Sequence, residues 1–399
     1  MTDSAVGGGP TQAMQGAKPV ELALLFLRLG FTAFGGPAAH VAIMQDEIVR
    51  RRRWLSSERF LDLLGAANLI PGPSSTELAI FIGYEEAGWL GLVLAGLCFV
   101  LPAAVMVTAL AWAYVRFGAL PQVAGVLYGI KPVVIAVVVQ ALWGLVPKAI
   151  KKSVWLAALG LAACAAFALG ADALLVLLGG GVAAVLARHF SNTKGAVRSL
   201  NPSILGLLAG GGAVVAAPVS LVGLSLTFLK IGAVVFGSGY VLLAFLRADL
   251  VDRLHWLTER QLLDAVAIGQ VTPGPVFTTA TFIGYVVVAP GGSLAGIFGA
   301  LAATIGIFLP GFLLVALVRP LVARLRRSAV AGAFLDGVNV AALALMAVVT
   351  VQLARTALVD APTILLAIIG ALLLVRFKLN TTWLVGGGAI VGAVVTAVR

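Results

Sequence analysis

The stretch LIPGPSSTEL, residues 69–78, places two prolines and a glycine inside a long apolar part of the chain. Proline lacks the backbone donor that a helix needs and disfavours helix in the residue before it, so this stretch predicts a break between two helices. A second stretch, QVTPGPVFTT at residues 270–279, carries the same Pro-Gly-Pro core. Two matched breaks predict a paired structural feature with a common role.

The composition indicates an all-α polytopic membrane protein. Of 399 residues, 61% are hydrophobic and 11% are charged, and several apolar runs exceed the roughly 20 residues that a helix needs to cross hydrocarbon. The strands of a membrane β-barrel alternate apolar and polar residues, whereas these runs are apolar throughout, so they predict helices. Residues 1–17 predict a disordered N-terminal tail without the pattern of a signal peptide. The net charge of +11 lies in basic loops, which favours a lipid bilayer and no nucleic acid as partner.

The chain contains an internal repeat. FLRLGFTAFGG at 26–36 resembles FLKIGAVVFGS at 228–238, and the offset of 202 also aligns Pro71-Gly72-Pro73 with Pro273-Gly274-Pro275. Farther along, YGIKP at 128–132 aligns with DGVNV at 336–340. The repeat predicts an N-terminal transporter repeat at 18–200 and a C-terminal one at 222–399, joined by residues 201–221.

The loop charges predict that the two repeats have inverted topology. RRRRWLSSER at 50–59 is strongly basic while its counterpart DRLHWLTER at 252–260 is diluted by acids, and the bias is reversed between RFGALPQ at 116–122 and RPLVARLRR at 319–327. Since basic loops stay on the cytoplasmic side, corresponding segments of the halves cross in opposite directions. The predicted crossings are about 88–115, 122–147, 153–170, 172–188, 292–318, 328–352, 361–376 and 382–398.

The broken segments predict re-entrant hairpins, giving about five membrane segments in each repeat. Residues 60–84 contain an apolar stretch that the loop charges do not allow to cross, so we expect a hairpin with Pro71–Pro73 at its tip. Residues 20–44 and 222–246 are either bent spans or second hairpins. In the first case residues 203–220 are a non-crossing linker, and in the second they are an extra membrane segment.

The breaks are candidate anion-binding positions. The half-helices that begin near Ser74 and Val276 enter from opposite faces, so their N-termini, with unpaired N–H groups and positive dipole ends, would meet centrally. The alternative is a simple kink whose hydroxyls bond back to their own helix. The candidate substrate-binding residues are Asn68, Gly72, Ser74, Ser75, Thr76, Lys131, Gln270, Thr272, Gly274, Thr278, Thr279 and Asn339.

Charged residues inside apolar segments are candidates for countercharge, coupling or gating. Lys131 lies about ten residues into its span, or ~15 Å, where a charge is costly and usually functional; its repeat counterpart is Asn339. Glu77 either carries a coupling proton or pairs with a cation such as Arg28 or Lys131. Arg28 and Lys230 are cations at corresponding positions of the two repeats. The alternative to a functional role is that their side chains extend to the membrane interface. The coupling or gating set is Arg28, Gly35, Gly36, His40, Glu77, Lys230 and Gly237; the alternative for His40 is a hydrogen-bonded packing role.

The sequence predicts a transporter rather than an enzyme. Glu85 and Glu86 are not followed by the His or Arg that a membrane protease with paired glutamates would need. Cys98 and Cys164 lie in apolar segments with no second ligand nearby, so no metal or cofactor is predicted. A passive channel is the other alternative. A homodimer is left open.

The motifs together resemble those of the chromate ion transporter family in its long, two-domain form. They are FGGPAAHVAIMQDEIV, RRWLSSERFLDLL, PGPSSTELAIFIGY, FGSGYVLLAFL and TPGPVFTTATFIGY, spread over residues 20–398. The resemblance implies a bacterial or archaeal inner-membrane protein that exports chromate, driven by membrane potential or a proton gradient, and confers chromate resistance. Sulfate, which shares the shape and charge of chromate, is the rival substrate. The residues matching the family motifs are Phe34, Gly35, Gly36, Pro37, His40, Trp54, Pro71, Gly72, Pro73, Ser75, Thr76, Phe236, Gly237, Pro273, Gly274 and Pro275; Glu77 departs from an amide common there.

Overall fold

The computed structural model describes residues 18–34, 36–118, 120–192, 219–236, 239–321, 328–377, 379 and 381–398. These residues form helices and connections and contain no strand, which confirms the predicted all-α class. The predicted tail at 1–17, most of the junction at 201–221, and the candidate residues Gly35 and Gly237 lie outside the described residues.

The described residues of the first half form seven α-helices. Ser56 caps the third of them, its hydroxyl accepting from the N–H of Arg59. The fourth is kinked at Ala87 and Gly88, where Gly88 has a φ of +60°. The helices are α1 (Pro19–Thr32), α2 (Gly36–Gln45, continued by a π-helical turn, Asp46–Arg51), α3 (Ser57–Ala67), α4 (Ser74–Phe117), α5 (Pro121–Ile150), α6 (Val154–Ala168) and α7 (Ala173–Asn192).

The second half follows the same order with shorter pieces near its breaks. Thr258 and Gln261 form a capping box at the start of α10, which fixes where that helix begins. The helices are α8 (Leu221–Val234), α9 (Leu242–Leu246, continued by a π-helical turn, Arg247–Arg253), α10 (Glu259–Val271), α11 (Thr279–Val288), α12 (Ser293–Val318), α13 (Ala329–Ala357), α14 (Ala361–Phe377) and α15 (Thr381–Val398).

Six helices of the described chain are long and apolar enough to cross a membrane: Ser74–Phe117, Gln122–Ile150, Ala173–Phe190, Ser293–Val318, Ala329–Ala357 and Thr381–Val398. They coincide with six of the eight predicted crossings, and the chain is a multi-pass membrane protein. The other two predicted crossings, 153–170 and 361–376, form α6 and α14. These have 15 and 17 residues and are shorter than the six helices above.

The first segment of each half turns back on itself. In the first half, α1 lies against the π-helical turn that continues α2. Arg52, directly after that turn, contacts Glu21 near the start of α1, and Arg28 farther along α1 lies 3.7 Å from Glu47. In the second half Lys230 pairs with Asp249 at 2.9 Å, at positions that the offset of 202 relates to Arg28 and Glu47. Each first segment is therefore a helical hairpin, and the choice between a bent span and a re-entrant hairpin for residues 20–44 and 222–246 stays a prediction.

A second hairpin follows in each half. Arg59, near the start of α3, pairs with Glu85 in α4 at 2.7 Å, so α3 and the first part of α4 run antiparallel. Pro71 to Pro73 lie at the turn between them, as predicted. In the second half, Gly269 of α10 lies against Thr279 of α11 on the far side of the second Pro-Gly-Pro.

The hairpins pack on the long helices through glycines. Gly30 of α1 lies against the carbonyl of Phe99 in α4, and Gly232 of α8 lies against that of Ile307 in α12. Small residues let membrane helices approach closely, which replaces the hydrophobic driving force that lipid does not provide. These contacts position the hairpin turns, at the ends of α1 and α8, deep in the protein.

Candidate functional site

The four hairpin turns meet at the centre of the protein. The N–H of Gly72 donates to the carbonyl of Val235 at 2.7 Å, and the N–H of Gly274 donates to the carbonyl of Ala33 at 2.9 Å. Ala33 and Val235 are the C-caps of α1 and α8. Each bond therefore joins a Pro-Gly-Pro turn of one half to the first hairpin of the other.

Both glycines of these turns have backbone conformations that require glycine. The φ angle is +130° at Gly72 and +90° at Gly274, a region that L side chains rarely adopt. Their N–H groups already have carbonyl partners. In this conformation Gly72 and Gly274 hold the turns together, and their role in anion binding stays a prediction.

His40 links the first hairpin to the helix that follows the break. Its Nε2 lies 3.0 Å from the carbonyl of Ala33, and its Nδ1 lies 3.3 Å from Oγ of Ser75. Because a carbonyl only accepts, Nε2 carries the proton, and a neutral ring then accepts from the Ser75 hydroxyl through Nδ1. The histidine is 1% exposed. It fits the hydrogen-bonded packing role and also orients a candidate ligand, Ser75.

The start of α4 contains buried polar groups without partners. No side chain caps this helix, which begins at Ser74 directly after Pro73. Thr76 and Glu77 are 1% and 0% exposed, and neither Oγ1 of Thr76 nor either carboxyl oxygen of Glu77 has a hydrogen-bond partner among the described residues. Unsatisfied buried polar groups are rare in native proteins and call for a ligand or a functional explanation.

The carboxyl group of Glu77 fills a gap that two glycines leave. A Cβ atom at Gly72 would lie 2.0 Å from Oε1 of Glu77, and one at Gly311 of α12 would lie 2.8 Å from the same oxygen. No cation of the described chain pairs with Glu77, so the predicted alternative of an ion pair with Arg28 or Lys131 is wrong. An isolated ionised carboxylate would be far too costly here, and the geometry fits a protonated, neutral group.

The second half has fewer free donors than predicted. The hydroxyls of Thr272, Thr278 and Thr279 bond to the carbonyls of Ile268, Pro275 and Val276, at 2.9, 2.8 and 2.8 Å. For these three, the local back-bonding alternative is the one observed. Gln270 is 7% exposed and its Nε2 has no partner among the described residues. A short 3-10 turn, Val276–Thr278, precedes α11, so the helix proper begins at Thr279.

Lys131 is buried but already paired. Its Nζ lies 2.8 Å from Oδ1 of Asp264, and the hydroxyl of Tyr114 donates to Oδ2 at 2.9 Å. The contact at Oδ1 is ionic rather than a well-aligned hydrogen bond. In this conformation Lys131 is paired with Asp264, and its role as countercharge to the anion stays a prediction. The sequence reasoning missed Tyr114 and Asp264, although the offset of 202 aligned Asp62 with Asp264.

The remaining predicted residues lie around the centre rather than in it. Asn68 is exposed at the end of α3, Ser74 is half-buried, and Asn339 is half-buried on α13. Arg28 and Lys230 pair with Glu47 and Asp249 instead of extending alone to an interface. Gly36 begins α2 with a φ of +78°.

This architecture, with broken helices joined at the centre of an apolar helical protein, defines a membrane transporter. The chain belongs to the chromate transporter family, because the sequence model of that family matches residues 20–187 and 222–393. Members of this family are transporters and not enzymes.

Curated relatives cover nearly the whole chain. It is 36% identical over 382 residues to a chromate transport protein of Cupriavidus metallidurans, covering 94% of this chain and 92% of that protein. It is 32% identical over 357 residues to a chromate transport protein of Pseudomonas aeruginosa, covering 86% and 83%. No solved structure matches the chain.

Proposed function

We propose that this protein exports chromate from the cytoplasm across a bacterial or archaeal inner membrane and so confers chromate resistance. The observation that carries the proposal is the pair of bonds from Gly72 to Val235 and from Gly274 to Ala33, each of which joins a helix break of one half to a helix break of the other. Discontinuous helices that meet between two halves are where transporters bind their substrates. The curated relatives named above are chromate transport proteins.

We further propose that the two halves are inverted repeats and that both hairpins of each half re-enter the membrane without crossing it. The offset of 202 that aligns the sequences also relates the two central hydrogen bonds and the pairs Arg28–Glu47 and Lys230–Asp249. The reversed charge bias of corresponding loops supports opposite orientation. Non-helical backbone at membrane depth needs surrounding protein, and the turns have it.

The anion is proposed to lie beside the start of α4, between the two Pro-Gly-Pro turns. A helix N-terminus offers N–H groups and a positive dipole end, which favour a negative ligand. Thr76 and Gln270 each hold a buried polar atom without a partner, and Ser75 has a hydroxyl oriented by His40. An oxyanion would satisfy the donors among these groups. Glu77 is the proposed gate, since its neutral carboxyl occupies the gap beside Gly72 and Gly311.

The membrane potential favours export. Chromate is largely a dianion near neutral pH, and its exit from a negative interior gains about 4.6 kcal/mol per 100 mV, twice the value for one charge. Uptake would have to overcome the same amount. Sulfate has the same shape and charge as chromate, but the relatives give no support for sulfate as the substrate. They give no support for a homodimer either.

The test is chromate uptake into everted membrane vesicles, where export appears as accumulation. Imposing an interior-positive potential and a pH gradient separately measures what each contributes. We expect saturable accumulation that follows the potential, with sulfate a weak competitor. Chromate accumulation that depends on neither the membrane potential nor the pH gradient would indicate a passive channel and contradict the proposal.

The site itself is tested with the double variant Ser75→Ala and Thr76→Val at matched expression. Its uptake should fall by at least about tenfold, the equivalent of one lost charge-assisted hydrogen bond. Thr350→Val is the control, because Thr350 is a buried hydroxyl that bonds its own helix at Met346, on α13. Equal uptake by the double variant and the control would refute the proposed coordination.

A further inference from the structure

A buried charge cluster connects the two halves at one point. It consists of Lys131 on α5, Tyr114 on α4 and Asp264 on α10, with Nζ of Lys131 2.8 Å from one carboxyl oxygen and the Tyr114 hydroxyl 2.9 Å from the other. Lys131 is 8% exposed and Asp264 is 2% exposed. The carboxylate thus belongs to a hairpin of the second half, while both of its partners belong to long helices of the first.

The cluster lies close to the proposed anion site. Asp264 precedes Gln270 by six residues on α10, or about 9 Å along the helix, and Gln270 ends in a buried amide nitrogen without a partner. The next residues lead into the Pro-Gly-Pro turn. A movement of the α10–α11 hairpin relative to α4 and α5 therefore has to separate Lys131 from Asp264.

Separating this pair inside the protein leaves two unpaired charges. A buried charge without its partner is strongly unfavourable, and removing one member of such a pair costs more than the pair itself contributes. Two ligands can compensate the separated charges of Asp264 and Lys131. A proton neutralises the carboxylate of Asp264, and an oxyanion takes the place of that carboxylate beside the ammonium group of Lys131.

We propose that Asp264 is the proton-binding residue of the transport cycle and that Lys131, once released from it, is the cation that meets the anion. In this step the carboxylate of Asp264 takes one proton from water, Lys131 keeps its own protons, and no covalent bond of the substrate changes. Anion binding and proton binding are then positively linked, each favouring the other by the same factor. The inference rests on the proposed function and identifies how that site is coupled.

The charged and titratable neighbours of Asp264 lie on three helices. Lys131 faces it from α5 and Tyr114 faces it from α4, and Arg260 precedes it by one turn on its own helix. Other acids near α10 have partners of their own. Glu259 pairs with Arg247, and Asp336 on α13 pairs with Lys151 at 2.6 Å.

The experiment measures chromate binding to the full-length purified protein by calorimetry, in two buffers of different ionisation enthalpy. The difference in heat gives the number of protons taken up for each chromate bound. The titrations are made above neutral pH, where chromate itself is the dianion. For wild type we expect close to one proton per anion, and an affinity that falls up to about tenfold for each pH unit.

Two variants locate the proton. Asp264→Asn should bind chromate without proton uptake and with an affinity independent of pH. Asp336→Asn is the matched control, because it also removes an acid paired with a lysine, Lys151 just after the end of α5, at a partly exposed position, and it should behave as wild type.

The outcomes separate the two proposals. Wild type that binds no chromate would overturn the proposed function. Wild type that binds chromate without proton uptake, or proton uptake that persists in Asp264→Asn, would overturn only the coupling role of Asp264. Because a single Lys131 variant leaves Asp264 buried and unpaired, the role of Lys131 is tested in the neutral double variant Lys131→Met with Asp264→Asn. That double variant should bind at least about tenfold more weakly than Asp264→Asn alone, and equal affinity would overturn the role of Lys131.

Discussion

Substitution of Gly274 by alanine tests how tightly the central turns are held. The residue has a φ of +90°, and an added Cβ would lie 2.6 Å from Cβ of Ala103 and 3.2 Å from the carbonyl of Gly30. Placing an L side chain at positive φ costs about 1–2 kcal/mol, and inserting a methyl group into a packed core costs about 1–3 kcal/mol. Gly274→Ala should therefore destabilise the protein by about 2–5 kcal/mol.

The two contributions can be separated with a second variant. Ala103→Gly removes the atom that clashes, so the double variant should be about 1–3 kcal/mol more stable than the sum of the two single effects. The control is Gly292→Ala, since Gly292 has a φ of +107° and an added Cβ meets nothing within 4 Å. Gly292→Ala should show only the cost of an L side chain at positive φ, about 1–2 kcal/mol, and its effect on the free energy of unfolding should add to that of Ala103→Gly. The free energies come from denaturant unfolding in detergent, and additive effects of Gly274→Ala and Ala103→Gly would refute the packing described for this turn.

Three further substitutions test the centre and one hairpin base. His40→Ala should destabilise the protein by about 1–3 kcal/mol, because it leaves Ser75 without its buried partner, and vesicle uptake should fall with it; unchanged uptake would exclude an orienting role. Glu77→Gln should change the free energy of unfolding by less than about 1.5 kcal/mol, as a swap of similar volume, whereas a gain of several kcal/mol would mean that the carboxyl is ionised. At the exposed base of the second hairpin, hydrogen bonds from Thr356 and then Arg247 lower the pKa of Glu259. Its contribution to stability is therefore present above the unfolded-state pKa and lost as pH falls through the folded-state pKa, so Glu259→Gln should lower the thermal midpoint at neutral pH and not in acid.

The helix breaks could be predicted because their cause is local. Pro71, Gly72 and Pro73 act on their own backbone, and the structure has the turn at that place. The same holds for the long apolar helices. The length of α6 was overestimated, because hydropathy alone does not tell where a helix ends inside an apolar run, whereas the bounds of α14 agree with the prediction to within one residue.

The partner of Lys131 could not be predicted, because it depends on how distant segments pack. Asp264 comes from the other half of the chain, and only the packing of α10 on α5 brings it within 2.8 Å of the lysine. The hydroxyls show a different limit. Thr278 bonds to its own turn while Thr76 at the equivalent position has no such bond, so local sequence alone left both arrangements open.

The two halves share a backbone framework but differ in the side chains that fill it. Glu77 occupies the gap beside Gly72, whereas at the equivalent position Thr279 bonds to its own helix, and Cβ of Ala103 stands close to Gly274. A backbone framework repeated in both halves suits a protein that alternates between two related conformations. The side chains differ, because the first half places an acid beside its turn whereas the second half places a hydroxyl group at the equivalent position. The shared turns would then supply the movement, and the diverged residues would determine which ligand makes that movement favourable.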